Sequence, residues 1–400
     1  MLWGVAWSNL GYQTTFRKET EMKETQATPN HDNAKAAVLH MAAELGAKDW
    51  KFAFRGPTKH RSVNIPAWSQ KKLIHELVKA KTKLGLSPDT PVLAIQEAGR
   101  DGFAVHRFFE SLGIESLVVD SSSIEVPRRK RRVKTDRLDA LKLLNLLRRW
   151  HGGEKTALHV LHVPTPSEED ARHLHRERNR LTSEKTRLTN RLRSLLVTQG
   201  PPPKKISSRL ASQLKTLRDW NGSPLPSQLR NTLRRECQRL AIVEAQLSEI
   251  EAEQVAMVKS PNETRQAQTA HRLVKLKGIG PQTAYTLGHE FFWRNFNNRR
   301  EVGSAAGLTG TPYHSGKSER DQGISKAGNA RVRSLMIQAA WRWLQWQPNS
   351  KLSQWFQDRH SVGRRQRKVG IVALARKLLV ALWKYLEFGE MPDGAVLAMS

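Results

Sequence analysis

The sequence predicts a mixed α/β domain, then a long helical segment, then a mostly α-helical C-terminal domain. Three observations predict it. Short apolar runs alternate with amphipathic stretches from Val38 onward. Two charged, Leu-spaced segments, Glu168 to Gln199 and Leu225 to Val258, carry no strand signal. Two further helical patterns, Asn329 to Trp346 and about Gln366 to Glu387, close the chain. With 400 residues and about 150 per domain, two or three domains are expected. The boundaries expected are a disordered extension over 1–34, an α/β domain over 35–165, a helical coiled-coil segment over 166–262 and a C-terminal domain over 263–400.

In the first domain, Val38 to Leu45 and Trp50 to Phe54 read as strands joined by the turn Gly46-Ala47-Lys48-Asp49. Ser62 to Ile65 is a third strand, and Ala67 to Leu84 has helical spacing through Leu73, Ile74, Leu77 and Val78. The run Val92 to Ile95 suits a buried strand. A helix over Gly102 to Leu112, a strand over Ser116 to Val119 and a helix from near Thr135 follow. The order is β-β-β-α-β-α-β-α. In the middle segment, Pro201-Pro202-Pro203 separates two helices that form an antiparallel hairpin or coiled coil.

Lys plus Arg number 67 against 37 Asp plus Glu, a formal charge of +30, while 38% apolar residues still permit packed interiors. An acidic or fully disordered protein is excluded. A field of that sign attracts polyanions, either nucleic acid or an anionic membrane surface. The single Cys237 excludes a disulfide framework and fits a reducing cytoplasm. The most apolar run, Ile371 to Trp383, is interrupted by Arg376 and Lys377, so a soluble cytoplasmic protein without a membrane span is expected.

A few carboxylates stand out against this basic background. Glu97 follows the apolar strand at its C-terminal edge, where α/β sheets build sites, and Glu44 lies near the end of the first strand. Asp136 and Asp139 share one face at the start of a helix, just after Arg128-Arg129-Lys130-Arg131-Arg132. Taken alone, the two aspartates suit helix capping, with Thr135 as N-cap, at least as well as metal binding. Four carboxylates together would supply the oxygen ligands that two Mg²⁺ ions need. The strand and helix order is the ribonuclease H-like arrangement, which brings the first strand, the fourth strand and the last helix together.

At these residues the sequence resembles the DEDD-type insertion-sequence transposases, bridge-RNA-guided DNA recombinases whose N-terminal domain is similar to RuvC-type junction resolvases. The carrying motifs are Lys134-Thr135-Asp136-Arg137-Leu138-Asp139-Ala140 and Gln96-Glu97-Ala98-Gly99, and the likeness runs from about Val38 to Glu390. It implies that Glu44, Glu97, Asp136 and Asp139 hold Mg²⁺, two ions, with Lys134 and Arg137 beside them on nucleic acid. One departure stands out: the family's first acid is an aspartate, where this chain has Glu44, one methylene longer. Asp49 is the less suitable substitute, because it lies beyond the strand.

The second half carries Gly307 to Gly316 and Gly323 to Arg331, similar to the family's C-terminal domain, where a serine followed by glycine is the nucleophile. That likeness maps the role onto Ser315, in a polar loop spanning Gly310 to Gly328, with Ser318 and Ser325 as fallbacks. His314 reads as a solvated histidine. Lys326, Arg331 and Arg333 at the start of a helix suit phosphate contact. Leu276-Lys277-Gly278-Ile279-Gly280 resembles a helix-hairpin-helix element, in which Lys277, Gly278 and Gly280 would approach a phosphate, although a ligand-free glycine turn fits nearly as well. Trp341, Trp343 and Trp346 either stack bases or pack a core, the second reading suiting their helical spacing better.

The resemblance also implies a homo-oligomer, dimer or tetramer, around a structured noncoding guide RNA that pairs with donor and target DNA. Two rival readings are a metal-dependent junction nuclease in which water attacks, and a decayed transposase that only binds nucleic acid.

Overall fold

The computed structural model describes residues 37–99, 101–120, 136–315 and 318–398. The expected extension 1–34, Thr135, Lys134 and the basic run 128–132 lie outside them. Packing divides the chain into two compact units, one up to Leu161 and one from His162.

The first unit is a five-stranded sheet with helices on both faces. Its strands are β1 (Leu39–Leu45), β2 (Asp49–Arg55), β3 (His60–Pro66), β4 (Val92–Glu97) and β5 (Glu115–Val119); its helices are α1 (Gln70–Lys83), α2 (Gly102–Ser111) and α3 (Asp136–His151). Their succession is the expected one. The spatial order is β3-β2-β1-β4-β5, with β1, β2 and β3 antiparallel and β4 parallel to both β1 and β5. Period-two alternation sorts the side chains. Leu39, Met41, Trp50, Phe52 and Phe54 face one side, where Leu73 of α1 and Val105 and Phe109 of α2 cover them. Ala42, Ala53, Leu93, Ile95 and Val119 face the other side and meet Ala140, Leu143, Leu144 and Leu147 of α3. The small Ala42 and Ala53 let α3 lie close to the sheet.

The second unit begins with α4 (Pro166–Val197) and α6 (Ser227–Lys259), joined through the single turn α5 (Leu210–Gln213). A capping box starts α4: Glu168 N–H donates to the Thr165 hydroxyl, and the Glu168 carboxylate accepts from Thr165 N–H. Arg178–Glu251 at 2.5 Å, Lys185–Glu244 at 3.4 Å and Arg191–Glu236 at 3.0 Å pair residues in opposite order along the two helices, which makes them antiparallel. Leu192, Leu233, Cys237 and Leu240 pack between them.

Beyond lie α7 (Arg265–Val274), α8 (Pro281–Glu290), α9 (Arg299–Ala305), the hairpin β6 (Gly310–Ser315) and β7 (Ser318–Ile324), then α10 (Ala330–Trp346), α11 (Lys351–His360) and α12 (Arg364–Phe388). Tyr285, Met336, Trp343, Phe356, Leu374 and Leu378 are central to one core that these helices share. Among the described residues no helix is long and apolar enough to cross a membrane.

Three expectations are corrected. The polar stretch Gly310 to Gly328 is not a loop but a two-stranded antiparallel ribbon, with Gly310 opposite Ile324 and Ser315 opposite Ser318. Its strands are too polar to show an alternating pattern. The tryptophans of α10 divide: Trp343 is in the core, its indole N–H donating to the Ser350 hydroxyl at 2.9 Å, whereas Trp341 and Trp346 are 41% and 48% exposed. Helices α9 and α11 went unforeseen because each is short, and each starts on a polar N-cap, Asn298 or Ser350.

Candidate active site and nucleic-acid surface

Strands β1 and β4 run parallel, with Met41 level with Ala94, Ala42 with Ile95 and Ala43 with Gln96. One residue further, Glu44 comes level with Glu97. Alternation from Ala42 and Ile95, both against α3, puts both carboxylates on the α3 side of the sheet. On the outer flank of Glu44, Lys51 of β2 is its register partner, an opposite-charge cross-strand pair. Both glutamates are half-buried at the C-terminal edge of their strands.

Gln96, one residue before Glu97, points to the opposite face and is fully buried. Its amide donates to the Gly102 carbonyl, and Ala98 N–H donates to the Val119 carbonyl at 2.8 Å. Together these bonds fix the turn that leaves β4 directly after Glu97. The glutamine of the Gln-Glu-Ala-Gly motif is therefore a scaffold residue.

The direction of α3 follows from its far end. His151, its last residue, has Nδ1 3.0 Å from Nε2 of His40, the second residue of β1. The helix thus runs antiparallel to β1 and points its N-terminus toward the edge that carries Glu44 and Glu97. From His40 to Glu44 the strand advances about 13 Å, and from His151 back to Asp139 and Asp136 the helix covers about 18 and 22 Å. The first turn of α3 therefore reaches the level of the two glutamates and passes it. Positions 136 and 139 stand seven and four residues before Leu143, in the first turn of α3. Arg137 sits between them on that turn. Among the described residues no group of three or more His, Cys, Asp or Glu gathers as a metal site. The donors that β1 and β4 place at this edge, Glu44 and Glu97, are carboxylates, the hard oxygen type that suits Mg²⁺.

The second unit holds the remaining expected residues. Ser315 ends β6 at the tip of the hairpin, and Ser318 starts β7 opposite it. At the hairpin's base, Ser325 N–H donates to the Thr309 carbonyl at 2.9 Å. Lys326 then takes a left-handed turn with φ 56°, held by its N–H on the Gly307 carbonyl at 3.3 Å and by Arg333, whose Nη1 donates to its carbonyl at 3.0 Å. Arg333 Nη1 also reaches the Ala306 carbonyl at 3.3 Å, so its guanidinium shapes the turn, whereas the Lys326 side chain is exposed.

Lys277, Gly278 and Gly280 link α7 to α8. Gly278 has φ +93°, and a Cβ there would lie 3.3 Å from Trp346, which explains the glycine by turn geometry and packing. Lys277 N–H donates to the Val396 carbonyl at 3.2 Å, and its carbonyl accepts from the Gln347 amide at 2.8 Å. Its ammonium stands 5.8 Å over the Trp346 ring.

A buried carboxylate that the sequence reading missed ties these pieces together. Glu290, 5% exposed at the end of α8, accepts from His175 Nε2 at 2.8 Å and Arg176 at 3.1 Å, both on α4, and from the Asn329 amide at 3.1 Å. Arg331 lies 3.7 Å away. Asn329 is the N-cap of α10, its side chain accepting from Arg331 and Val332 N–H groups. Burial alone would raise the Glu290 carboxyl, but the bond from His175 and the Arg176 charge outweigh it and hold it at about 2. The asparagine before a helix was a visible cap signal; its carboxylate partner, 39 residues earlier, was not.

The family model described as transposases of the IS116/IS110/IS902 family matches residues 270–354, and a transposase model of the DEDD type of IS110 matches 59–201. Glu97, Asp136 and Asp139 fall in the second span and Ser315 in the first, whereas Glu44 precedes both. A Sinorhizobium fredii protein named as a transposase, y4rJ, is 44% identical over 331 residues, 80% of this chain and 83% of that protein. The transposase for insertion sequence element IS1328 of Yersinia enterocolitica is 30% identical over 237 residues, 58% of this chain and 67% of its own. The transposase for insertion sequence element IS1111A of Coxiella burnetii is 25% identical over 284 residues, 70% and 74% of the two.

Proposed function

The chain belongs to the IS116/IS110/IS902 family of transposases, and from that premise we propose that it cuts, exchanges and rejoins DNA strands with Ser315 as nucleophile and a carboxylate-held metal. The observation that carries the acidic half of this reading is the level pairing of Glu44 and Glu97 at the strand ends toward which α3 points. Glu44, Glu97, Asp136 and Asp139 would hold Mg²⁺. Bound there, the ion supplies Lewis-acid stabilisation of charge on the phosphodiester.

The rest of the reaction falls to the chain's own groups. The Ser315 oxygen forms a bond to phosphorus as its proton leaves to a base, and the bond from phosphorus to one bridging DNA oxygen breaks, that oxygen taking up a proton. The strand end is then held as a phosphoserine ester. Rejoining reverses the step: a hydroxyl of the new strand loses its proton as it bonds to phosphorus, and the Ser315 oxygen leaves and is reprotonated. A hairpin tip suits this exchange, since it can present one hydroxyl to a strand without burying it. Lys326 and Arg331 would contact the DNA phosphates, with Arg333 keeping their turn in shape, and Lys134, Arg137, Lys277, Gly278 and Gly280 would add nucleic-acid contacts.

The reading requires the hairpin and the carboxylates to meet in an assembled homo-oligomer, with a structured guide RNA reading donor and target sequence by base pairing. The test is a denaturing gel for protein covalently attached to labelled DNA in Mg²⁺. An adduct that Ser315→Ala abolishes supports the serine mechanism. Cleavage that persists in Ser315→Ala would establish hydrolysis by water instead, and cleavage by the unaltered chain rules out a decayed binding remnant.

A further inference from the structure

We propose that the cationic groove between α9 and α12 binds the sugar-phosphate backbone of a single DNA strand, a site separate from the carboxylates and from the serine hairpin. The proposal rests on the family's DNA substrate but on neither the metal nor the nucleophile.

The groove encloses about 450 Å³, and its rim carries Arg299 and Arg300 from α9 and Arg376, Lys377 and Lys384 from α12, all exposed. Among the described residues no carboxylate lines it. The neighbouring acids are committed elsewhere: Glu301 accepts from Asn297 N–H at 2.9 Å and from the Asn298 amide at 2.8 Å, and Glu387 pairs with Arg265 at 2.8 Å. Glu390 offsets only Lys384, at 2.9 Å. Four cations therefore face one concavity with no carboxylate partner among the described residues.

Its shape selects the ligand. Positions 376 and 384 of α12 lie on one side of the helix, with their Cα atoms about 12 Å apart along the axis. Between the cations the floor is apolar, made of half-buried Leu352, Val380 and Ala381. A charged rim over an apolar floor takes phosphates at its edges and a sugar or base face below. A duplex keeps its bases stacked inside and offers no base face to that floor.

Local packing builds the site. Gly303 of α9 faces the Arg376 stem and the Thr309 methyl across the groove. Lys377 is braced 4.6 Å over the Trp355 ring. Thr309 lines the groove immediately before β6, so a strand lying in it would lead to the base of the serine hairpin.

The test is fluorescence anisotropy on the full chain carrying Ser315→Ala, in chelator, with one labelled sequence as a DNA strand, a DNA duplex and an RNA strand across a salt series. Groove variant Arg299→Gln/Arg300→Gln/Lys377→Gln should lower the slope of log affinity against log salt for the DNA strand by about 2, at about 0.7 per cation. The equal-charge variant Arg193→Gln/Arg234→Gln/Arg235→Gln on α4 and α6 should leave it nearly unchanged. Ala381→Glu, which puts an acid on the floor, should weaken the DNA strand at least tenfold. Equal losses for the two triple variants, or a loss confined to duplex or to RNA, would overturn the proposal. Because the metal and the nucleophile are both absent, failure here leaves the cleavage mechanism standing, and the reverse holds.

Discussion

The Glu290 carboxylate accepts a hydrogen bond from His175 Nε2 at 2.8 Å, joining the end of α8 to the first third of α4 across 115 residues of chain. Both side chains are buried, and Arg176, Asn329 and Arg331 complete the ring around the carboxylate. One carboxylate thus holds the helical pair, the α7–α8 element and the N-cap of α10, the helix that follows the serine hairpin.

Removing that charge leaves the buried His175 and the partly exposed Arg176 without their charged acceptor. Glu290→Gln should lower unfolding free energy by about 3 kcal/mol, within the range for breaking a buried pair. The pH dependence has a definite sign. The folded carboxyl sits at about 2 against an ordinary 4.5, so its contribution is fully present above 4.5 and is lost as pH falls toward 2. Thermal melts of the unaltered chain should fall across that window, and melts of Glu290→Gln should lose that part of the slope; equal slopes for both would refute the assignment.

Much of this arrangement was legible in the sequence, and what was not has a physical reason. The β-β-β-α-β-α-β-α order showed because each strand of the first unit is either alternating, as in Trp50, Phe52 and Phe54, or continuously apolar, as in Val92 to Ile95. Glu44 and Glu97 stood out because both interrupt apolar strands at their ends. The serine hairpin did not show, because its two strands are polar in sequence and carry no alternating apolar pattern. Glu290 did not show because its partners come from two segments remote from it in the chain, and the register of side chains across packed helices is set by tertiary contact rather than by local spacing.

Gly328 closes the turn between the hairpin and α10 with φ +114°, and a Cβ there would come within 2.5 Å of the Ala305 carbonyl and 2.8 Å of the Ser304 carbonyl. Both atoms are backbone at the end of α9 and cannot swing aside. Gly328→Ala should destabilise by at least about 2 kcal/mol, summing left-handed strain and overlap. Gly323→Ala, also at positive φ but with nothing within 4 Å, should cost about 1 kcal/mol. Denaturant melts of the two variants separate overlap from backbone strain.

The level pair Glu44 and Glu97 gives a direct test of the acidic site. Glu44→Gln and Glu97→Gln should each reduce Mg²⁺-dependent strand cleavage at least about a hundredfold, or roughly 2.7 kcal/mol. Neither side chain is in the core, so thermal midpoints should barely move. Glu44→Asp keeps the charge and shortens the reach, and should keep measurable cleavage. A Glu97→Gln protein with full activity would remove this edge of the sheet from the reaction.

At the opposite end of β1, His40 and His151 meet with ring nitrogens 3.0 Å apart and centroids 5.0 Å apart. Burial, then the charges of His151, Arg148 and Arg55, lowers His40 to about 4 from an ordinary 6.5. A histidine held neutral in the folded state stabilises fully above 6.5, and that contribution is lost as pH falls through 4. The pair is partly solvated, so the effect is about 1 kcal/mol after screening. Because this contact pins the C-terminal end of α3, protonation should loosen the helix that brings Asp136 and Asp139 to the far edge. Hydrogen exchange over residues 140–151 should therefore speed up between pH 6.5 and 4, after correction for intrinsic rates. His40→Leu, which keeps the burial and removes the proton site, should abolish the acceleration; if the variant accelerates equally, the histidine pair does not anchor α3.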